Sequence, residues 1–422
     1  MSDSRLDVVI FGATGYTGKL VVKYAVDFCK EWQLKFGIAG RRKEALENVL
    51  KEFAADAGNV PIILANVNDE KSLEKMTECA KVLINCCGPF RFYGEPVVKA
   101  CITTRTHYVD ITGEPQFIEN MQLLYNKMAQ EAGVYIVPAC GWESVPSEMG
   151  IIFIQKKFGG EVNSIEIYAQ AYAEAKNKSP LVNYGTWESL VYSITHWNEL
   201  KNLRAKLYPD KLPEFTPKLK SKGIIHKSDV TNSWSLICPT SDRSLAIQTQ
   251  RFLYNKYKQR PAQIRSYLSI DSLFVIIGLI FIGAILTIMT RMAFTRKLLL
   301  RYPTLFSCGI VGREGPTRKL LEHQRCFITF KAVGWSEKLS EPTDKHTEPP
   351  NKELIVKMNS GSAYDATCIA VILSAIMILK EADKFPNNGG VLSPGAAFRN
   401  TSLIEEMDKN NIKYKVIKST EK

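Results

Sequence analysis

Histidine is scarce in this chain, five residues in 422, and the five stand far apart. The ten cysteines include no CxxC pair, and only Cys86 and Cys87 are adjacent. No group of His, Cys and carboxylates falls at metal-ligand spacing, so neither a metal site nor a disulfide framework is expected. Free thiols in a reducing compartment are the expectation instead. The start of the chain lacks a basic stretch leading into an apolar run with a small-residue cleavage site. That points to a protein on the cytosolic side of membranes, not a secreted one. There is no internal repeat, no nucleic-acid-binding module and no Lys/Arg–aromatic repeat, so nucleic acid is not an expected partner.

What is present fits a folded protein with sizeable cores. The composition is 45% apolar and 23% charged, which excludes a largely disordered chain. The length exceeds one compact core and suggests two or three domains. The formal charge is +12, and most of the excess is local. Residues 201–265 carry fourteen Lys/Arg against four Asp/Glu, a basic region suited to phosphate-bearing or membrane partners.

Residues 7–12, DVVIFG, form an apolar run ending at glycine, as a buried parallel strand does. Further short apolar runs follow at Phe36–Ala39, 61–65, 82–86, 108–111 and 134–138, with amphipathic helical stretches between them. Strands alternating with helices predict an α/β fold, a Rossmann-type doubly wound parallel sheet, over residues 1–150. After residue 150 the period changes. Residues 164–172, 326–333 and 354–358 alternate apolar with polar, which predicts a second α+β domain with a mixed or antiparallel sheet. Its two parts, 151–265 and 310–422, flank an apolar segment at 272–290. Residues 336–353 are polar and proline-bearing, an expected loop, and 363–379 reads as a core helix.

The apolar segment LFVIIGLIFIGAILTIM, 273–289, has no charge between Asp271 and Arg291. Its Leu, Ile, Phe and Val content favours membrane insertion by roughly 4–7 kcal/mol on a translocon scale. As a helix it would reach about 26 Å, short of the ~30 Å hydrocarbon core. Both flanks are basic. A helix lying in one leaflet is therefore expected, with a buried or dimer-forming helix as the alternative.

The clearest chemical motif is Gly12-Ala-Thr14-Gly15-Tyr16-Thr17-Gly18. It follows the first strand and opens a helix, the context required of a dinucleotide turn. Gly12 permits the tight turn, Gly15 lets backbone approach a pyrophosphate, and Gly18 lets helix and strand pack closely. The second strand ends in Gly40-Arg41-Arg42, where an enzyme reading the ribose 2′-hydroxyl carries Asp or Glu. Two guanidiniums suit a 2′-phosphate, so NADP(H) is preferred over NAD(H). Asn85, Cys87, Gly88 and Pro89 close the fourth strand and complete the cofactor candidates. Nucleophilic roles for Cys86 and Cys87 are not expected, since no His, Asn or Asp nearby makes them specific.

The GATGYTG turn, AGR, NCCGPFRFYGEPVVKAC, HYVDITGE, GWESVPSEMG, SDRSLAIQTQRFLY and GGVLSPGAAF together resemble the saccharopine dehydrogenase family. The similarity is to its animal, lipid-droplet-associated group of oxidoreductases and covers essentially the whole chain. The chain departs from the usual pattern at Trp142-Glu143, where Phe-Asp is common, and at Glu148, where Asp is common. The resemblance implies an NAD(P)H-dependent oxidoreductase with a lipid-like substrate at a membrane or droplet surface. It also marks Thr186, Trp187, Arg251 and Tyr364 as candidates for the substrate pocket.

For proton transfer the candidates are Tyr93, four residues past the Gly88-Pro89 turn, and Asp110, at the end of the fifth strand. Each is equally readable as a hydrogen-bonding residue. A non-catalytic nucleotide-binding protein of lipid surfaces remains the main alternative. A soluble saccharopine-type amino-acid dehydrogenase, with the apolar helix as a homo-oligomer contact, is the other.

Overall fold

The computed structural model describes residues 4–173, 179–213, 215–237 and 241–421. Strands β1 (Leu6–Phe11), β2 (Phe36–Gly40), β3 (Ile62–Leu64), β4 (Ala80–Asn85), β5 (His107–Asp110) and β6 (Tyr135–Val137) alternate with helices, as the sequence pattern predicts. The later strands are β7 (Glu161–Tyr172), β8 (Val182–Asn183), β9 (Ile225–Lys227), β10 (Trp234–Ile237), β11 (Gln263–Ile270) and β12 (Val311–Gly312). They are followed by β13 (Arg325–Trp335), β14 (Lys352–Ser360), β15 (Gly390–Val391) and β16 (Lys413–Glu421).

The first sheet is parallel throughout, in the order β15-β6-β5-β4-β1-β2-β3. Strand order reverses between β1 and β4, the place where doubly wound sheets collect ligands at their carboxyl edge. Alternation along β1 explains the two-layered core. Val8 and Ile10 pack with Val21, Val22 and Phe28 of the Tyr16–Glu31 helix. Val9 and Phe11 join Leu73, Val97 and Phe117 on the opposite face. Because both faces are covered, the strands read as continuous apolar runs.

The helix Ala363–Lys380 packs on the first of these faces, against β4, β5 and the Tyr16–Glu31 helix. It is long and apolar enough to cross a membrane by composition, but most of it is buried. It is a core helix. With β15 it brings the chain back to the first sheet, which is thus assembled from both ends of the sequence.

The second sheet is mixed, in the order β16-β14-β13-β7-β11-β10-β9, with β7 and β11 parallel and the other pairs antiparallel. Helix Val145–Lys157 lies on it at very short range. A side chain at Gly150 would fall 2.2 Å from the Phe330 ring. Strands β8 and β12 form a separate parallel pair.

Leu273–Met289 is a single helix with the bounds expected from the sequence. Ile276 and Leu286 are buried, whereas Phe274 is 86% exposed and Phe281 and Ile288 are each 68% exposed. Leu286 belongs to a small core with Trp187, Val191, Leu299 and Val311. One side of the helix is thus packed on the protein, and the other is an exposed apolar surface that no described residue covers. The loop between β13 and β14 is anchored by Arg260, which donates to the Asp344 carbonyl at 2.6 Å. The His346 ring stacks on Trp335 at 3.7 Å in the same loop.

Candidate nucleotide-binding and active site

Gly12 has φ +79°, and a side chain there would lie 2.9 Å from the backbone of Cys86 and Cys87. Glycine therefore allows the β1 turn to touch the β4 turn at the point where strand order reverses. At Gly18 an added Cβ would come 2.2 Å from the Gly12 carbonyl oxygen, so close helix–strand packing depends on its absence. Gly15 is the exposed N-cap of the Tyr16–Glu31 helix, which has no side-chain cap and no acidic residue in its first turn. Amides and helix dipole thus face outward with no carboxylate to compete, and a dinucleotide pyrophosphate fits this cradle.

Arg41 and Arg42 follow β2 and are both exposed. Arg42 begins the helix Lys43–Phe53. Arg41 lies close enough to Cys87 to pull that thiol down against the larger upward push of burial. Burial also raises Cys86. The net upward shift at both positions favours the neutral thiols, which disfavours a nucleophilic role.

A buried polar chain links the carboxyl ends of β4, β5 and β6. Asn85 Oδ1 accepts the Cys87 N–H at 2.9 Å, and Asn85 Nδ2 donates to the Tyr108 hydroxyl at 3.1 Å. Tyr108 donates to Asp110 Oδ2 at 2.7 Å. Asp110 Oδ1 accepts from the N–H groups of Thr112 (2.9 Å) and Ala139 (2.8 Å), the latter in the left-handed region at φ +61°. Asp110 is completely buried, and burial pushes its carboxyl up to about 7 against the pull of these hydrogen bonds. Both its oxygens are occupied by the protein.

The Gly88–Pro89 bond is cis, and Pro89 caps the helix Phe90–Thr103. That helix start is held from outside. Glu114 accepts the N–H groups of Phe90 and Arg91, each at 2.9 Å, and the Ser189 hydroxyl at 2.6 Å. Burial raises the Glu114 pKa while the three donors oppose it. Glu114 was not among the candidates drawn from the sequence. Its position after HYVDITG was visible there, but its partners lie in segments with no periodic relation to it.

Ser189 belongs to the helix Tyr184–Thr195, which lies over this edge of the first sheet. Tyr192 meets Phe92 edge-on at 4.7 Å, and Gln116 Nε2 donates to the Ser193 carbonyl at 2.9 Å. Tyr93, half-buried, stands in the first turn of Phe90–Thr103 beside Phe92. Three sequence candidates from distant segments meet at the other end of the roofing helix. Tyr16 and Tyr364 contact edge-on at 5.0 Å, and Thr186 hydrogen-bonds the Tyr364 hydroxyl. The Asn183 N–H also donates to that hydroxyl, at 2.9 Å.

Two other candidates lie apart from this group in their contacts. Trp187 is buried, and its indole N–H donates to the Leu299 carbonyl at 3.0 Å. Arg251 stacks on Tyr208 at 4.6 Å and donates to the Asp210 carbonyl at 2.8 Å. Glu148 is buried too, accepting the Thr249 hydroxyl and the Gly395 N–H, and burial lifts it to about 7. Among the described residues no cluster of His, Cys, Asp and Glu could hold a metal ion.

Residues 8–137 match the saccharopine dehydrogenase NADP binding domain. The saccharopine dehydrogenase-like oxidoreductase of Homo sapiens is 35% identical to this chain, with 98% of each chain covered. The chain belongs to this family of oxidoreductases. Another relative, the lipid droplet localized protein of Caenorhabditis elegans, is 32% identical, again with 98% of each covered. Among solved structures, saccharopine dehydrogenase (L-Glu forming) from Saccharomyces cerevisiae superposes with a TM-score of 0.57. The match covers 98% of this chain and 100% of that one at 13% identity, which shows a shared fold. The family supports NADP(H) as cofactor, in keeping with the Arg41-Arg42 pair where an acidic residue would favour NAD(H).

Proposed function

We propose that this protein is an NADP(H)-dependent reductase of a lipid-like substrate, working on the cytosolic face of a membrane or lipid droplet. The carrying observation is one connection. The helix Tyr184–Thr195 roofs the nucleotide edge through Ser189 and Tyr192. On its other side, Trp187 and Val191 pack with Leu286 of the exposed apolar helix. An uncovered lipophilic surface thus adjoins the element that closes the site. The lipid-droplet relative supports the same location.

In this reading residues 1–150, joined by Ala363–Lys380 and β15, carry the cofactor, and the rest of the segments 151–265 and 310–422 completes the substrate side. Gly12, Thr14, Gly15, Tyr16, Thr17 and Gly18 hold the pyrophosphate, and Arg41 and Arg42 hold the 2′-phosphate. Asn85, Cys87, Gly88 and Pro89 shape the ribose–nicotinamide end. Bound NADPH supplies the hydride of a two-electron reduction. The proton comes from the Tyr93 hydroxyl, on the first turn of a helix fixed by Glu114. Asp110 serves as a positioning residue, aligning the β4 and β5 ends through Tyr108. Thr186 and Tyr364 border the substrate, while Trp187 and Arg251 support the surrounding structure.

Helix Leu273–Met289 lies along the lipid surface, with Phe274, Ile277 and Phe281 inserted and Ile276 and Leu286 kept on the protein. A spanning arrangement conflicts with the chain after it, which returns to both sheets, β13 beside β7 and β15 beside β6. Absorbance of NADPH in the presence of lipid-extract vesicles tests the reading. Consumption that requires lipid supports it; stable nucleotide binding with no consumption by any lipid fraction supports a non-catalytic role instead.

A further inference from the structure

From Ser272 to Arg313 the sequence contains no Asp or Glu, yet it contains Arg291, Arg296, Lys297, Arg301 and Arg313. This acid-free stretch includes the exposed apolar helix and continues through Ala293–Arg301 and Pro303–Phe306. At its end lies an open cavity of about 610 Å³, lined by Arg301, Tyr302, Leu305, Arg313, Ser179 and Thr317 among others. We propose that this cavity binds the phosphate headgroup of an anionic phospholipid. The proposal rests on the surface-association reading above and gives that surface a lipid preference.

Among the described residues no carboxylate takes up the charge of the two arginines. Arg301 Nε donates to the Tyr302 hydroxyl at 3.3 Å, and Arg313 Nη2 reaches the Arg301 carbonyl at 3.5 Å. The Arg313 guanidinium also stacks on Tyr184 at 4.8 Å. Neither cavity arginine forms an ion pair with a carboxylate of the described residues, as Arg91, Arg204, Arg260 and Arg318 do. Glu188 feels the Arg313 charge without pairing with it, and Glu314 is the acidic residue of the lining. In the basic 201–265 region, by contrast, three of the fourteen cations are held in internal ion pairs: Arg204 with Glu119, Lys222 with Glu166 and Arg260 with Glu161.

The rim has the chemistry of an interfacial site. Tyr302 and Leu305 are 48% and 71% exposed, and Phe294 on the preceding helix is 68% exposed. Apolar groups that enter the acyl boundary beside cations that meet phosphates are the two components of peripheral lipid binding. The Ser179 hydroxyl, which accepts the Thr317 N–H at 2.9 Å, adds a polar group to the lining. The floor of the cavity backs onto the nucleotide turn. A side chain at Gly315 would fall 2.8 Å from the Tyr16 ring, and the Tyr16 hydroxyl donates to the Pro316 carbonyl at 2.7 Å.

Calorimetric titration of the full chain with dihexanoyl phosphatidic acid below its micelle concentration tests the cavity without a membrane. Dihexanoyl phosphatidylcholine and inorganic phosphate serve as comparison ligands. The expected result is saturable binding of the phosphatidic acid, weaker binding of both comparisons, and a loss of about tenfold or more in R301Q/R313Q. NADPH binding by the double variant reports that it is folded. No saturable binding, or binding unchanged in the folded double variant, overturns the proposal. Equal affinity for inorganic phosphate also overturns it, in favour of a free-phosphate site. Sedimentation with phosphatidylcholine vesicles, with and without phosphatidic acid, separates the two readings. Equal binding to both vesicle types keeps the surface reading and refutes the headgroup site. Binding of the short-chain lipid with no vesicle binding keeps a phosphate-ester site and refutes the surface reading.

Discussion

Ser189 donates its hydroxyl to Glu114 at 2.6 Å, and this carboxylate simultaneously caps the helix that begins after Pro89. One buried side chain therefore joins the nucleotide edge to the helix roofing it. Glu114→Ala would strand two helix N–H groups and a hydroxyl, at a cost of about 2–4 kcal/mol. Ser189→Ala should cost about 1 kcal/mol. Urea unfolding of both single variants and the double variant checks this. The double variant should fall short of the sum, because the two changes remove a shared interaction.

Asp110 makes stability depend on pH in a defined direction. Its pKa rises from 3.8 to about 7 on burial. The native state therefore holds this proton more tightly than the unfolded chain does. The resulting stabilisation is complete below about pH 4 and is lost as pH rises to about 7. Glu148, also raised to about 7 by burial, acts in the same sense. Asp110→Asn should flatten part of this slope, measured as urea midpoints across the range. An unchanged slope would mean that Asp110 ionises as freely in the folded state as in the unfolded one.

The role given to Arg41 predicts a change of cofactor. Arg41→Asp places a carboxylate where the 2′-phosphate would sit, so NADPH affinity should fall at least tenfold and the preference should move toward NADH. Fluorescence titration with both nucleotides measures the ratio. A ratio unaffected by the substitution would place the 2′-phosphate elsewhere.

Surface association should depend on side chains that make little contribution to the fold. Phe274→Ser and Phe281→Ser together alter two exposed positions on Leu273–Met289 and leave Ile276 and Leu286 in the core. Vesicle binding should drop by at least an order of magnitude, while thermal stability moves little. Deleting the whole helix is a poorer test, because it would also uncover Trp187 and Val191.

The first six strands are legible in the sequence because burial on both faces leaves uninterrupted apolar runs between turn residues. The same physics hid β15. A two-residue strand, Gly390–Val391, has no period, and only its pairing with Tyr135 and Ile136 defines it. The two long apolar helices are separable in the sequence, one as a core helix and one as a lipid-surface helix. Contacts distinguish them: Ala363–Lys380 is enclosed on the first sheet, and Leu273–Met289 has one open side. The glycine turn was readable from spacing, since each glycine meets a local steric demand. The Glu114–Ser189 link spans 75 positions, and neither residue carries a signal of its own. Trp187 stood within a motif suggestive of a pocket, yet its hydrogen bond to Leu299 depends on a helix more than a hundred residues away.

The most direct measurement is transfer of deuterium from 4-deuterated NADPH into lipid presented in vesicles, followed by mass spectrometry of the extracted lipids. Reduction of a lipid-like substrate at a surface predicts a labelled lipid product that forms with the wild-type chain. Its yield should fall sharply in the Phe274/Phe281 variant, even though that variant still binds NADPH. Oxidation of NADPH with no label in any lipid, or equal turnover of a water-soluble substrate by the two proteins, would contradict it.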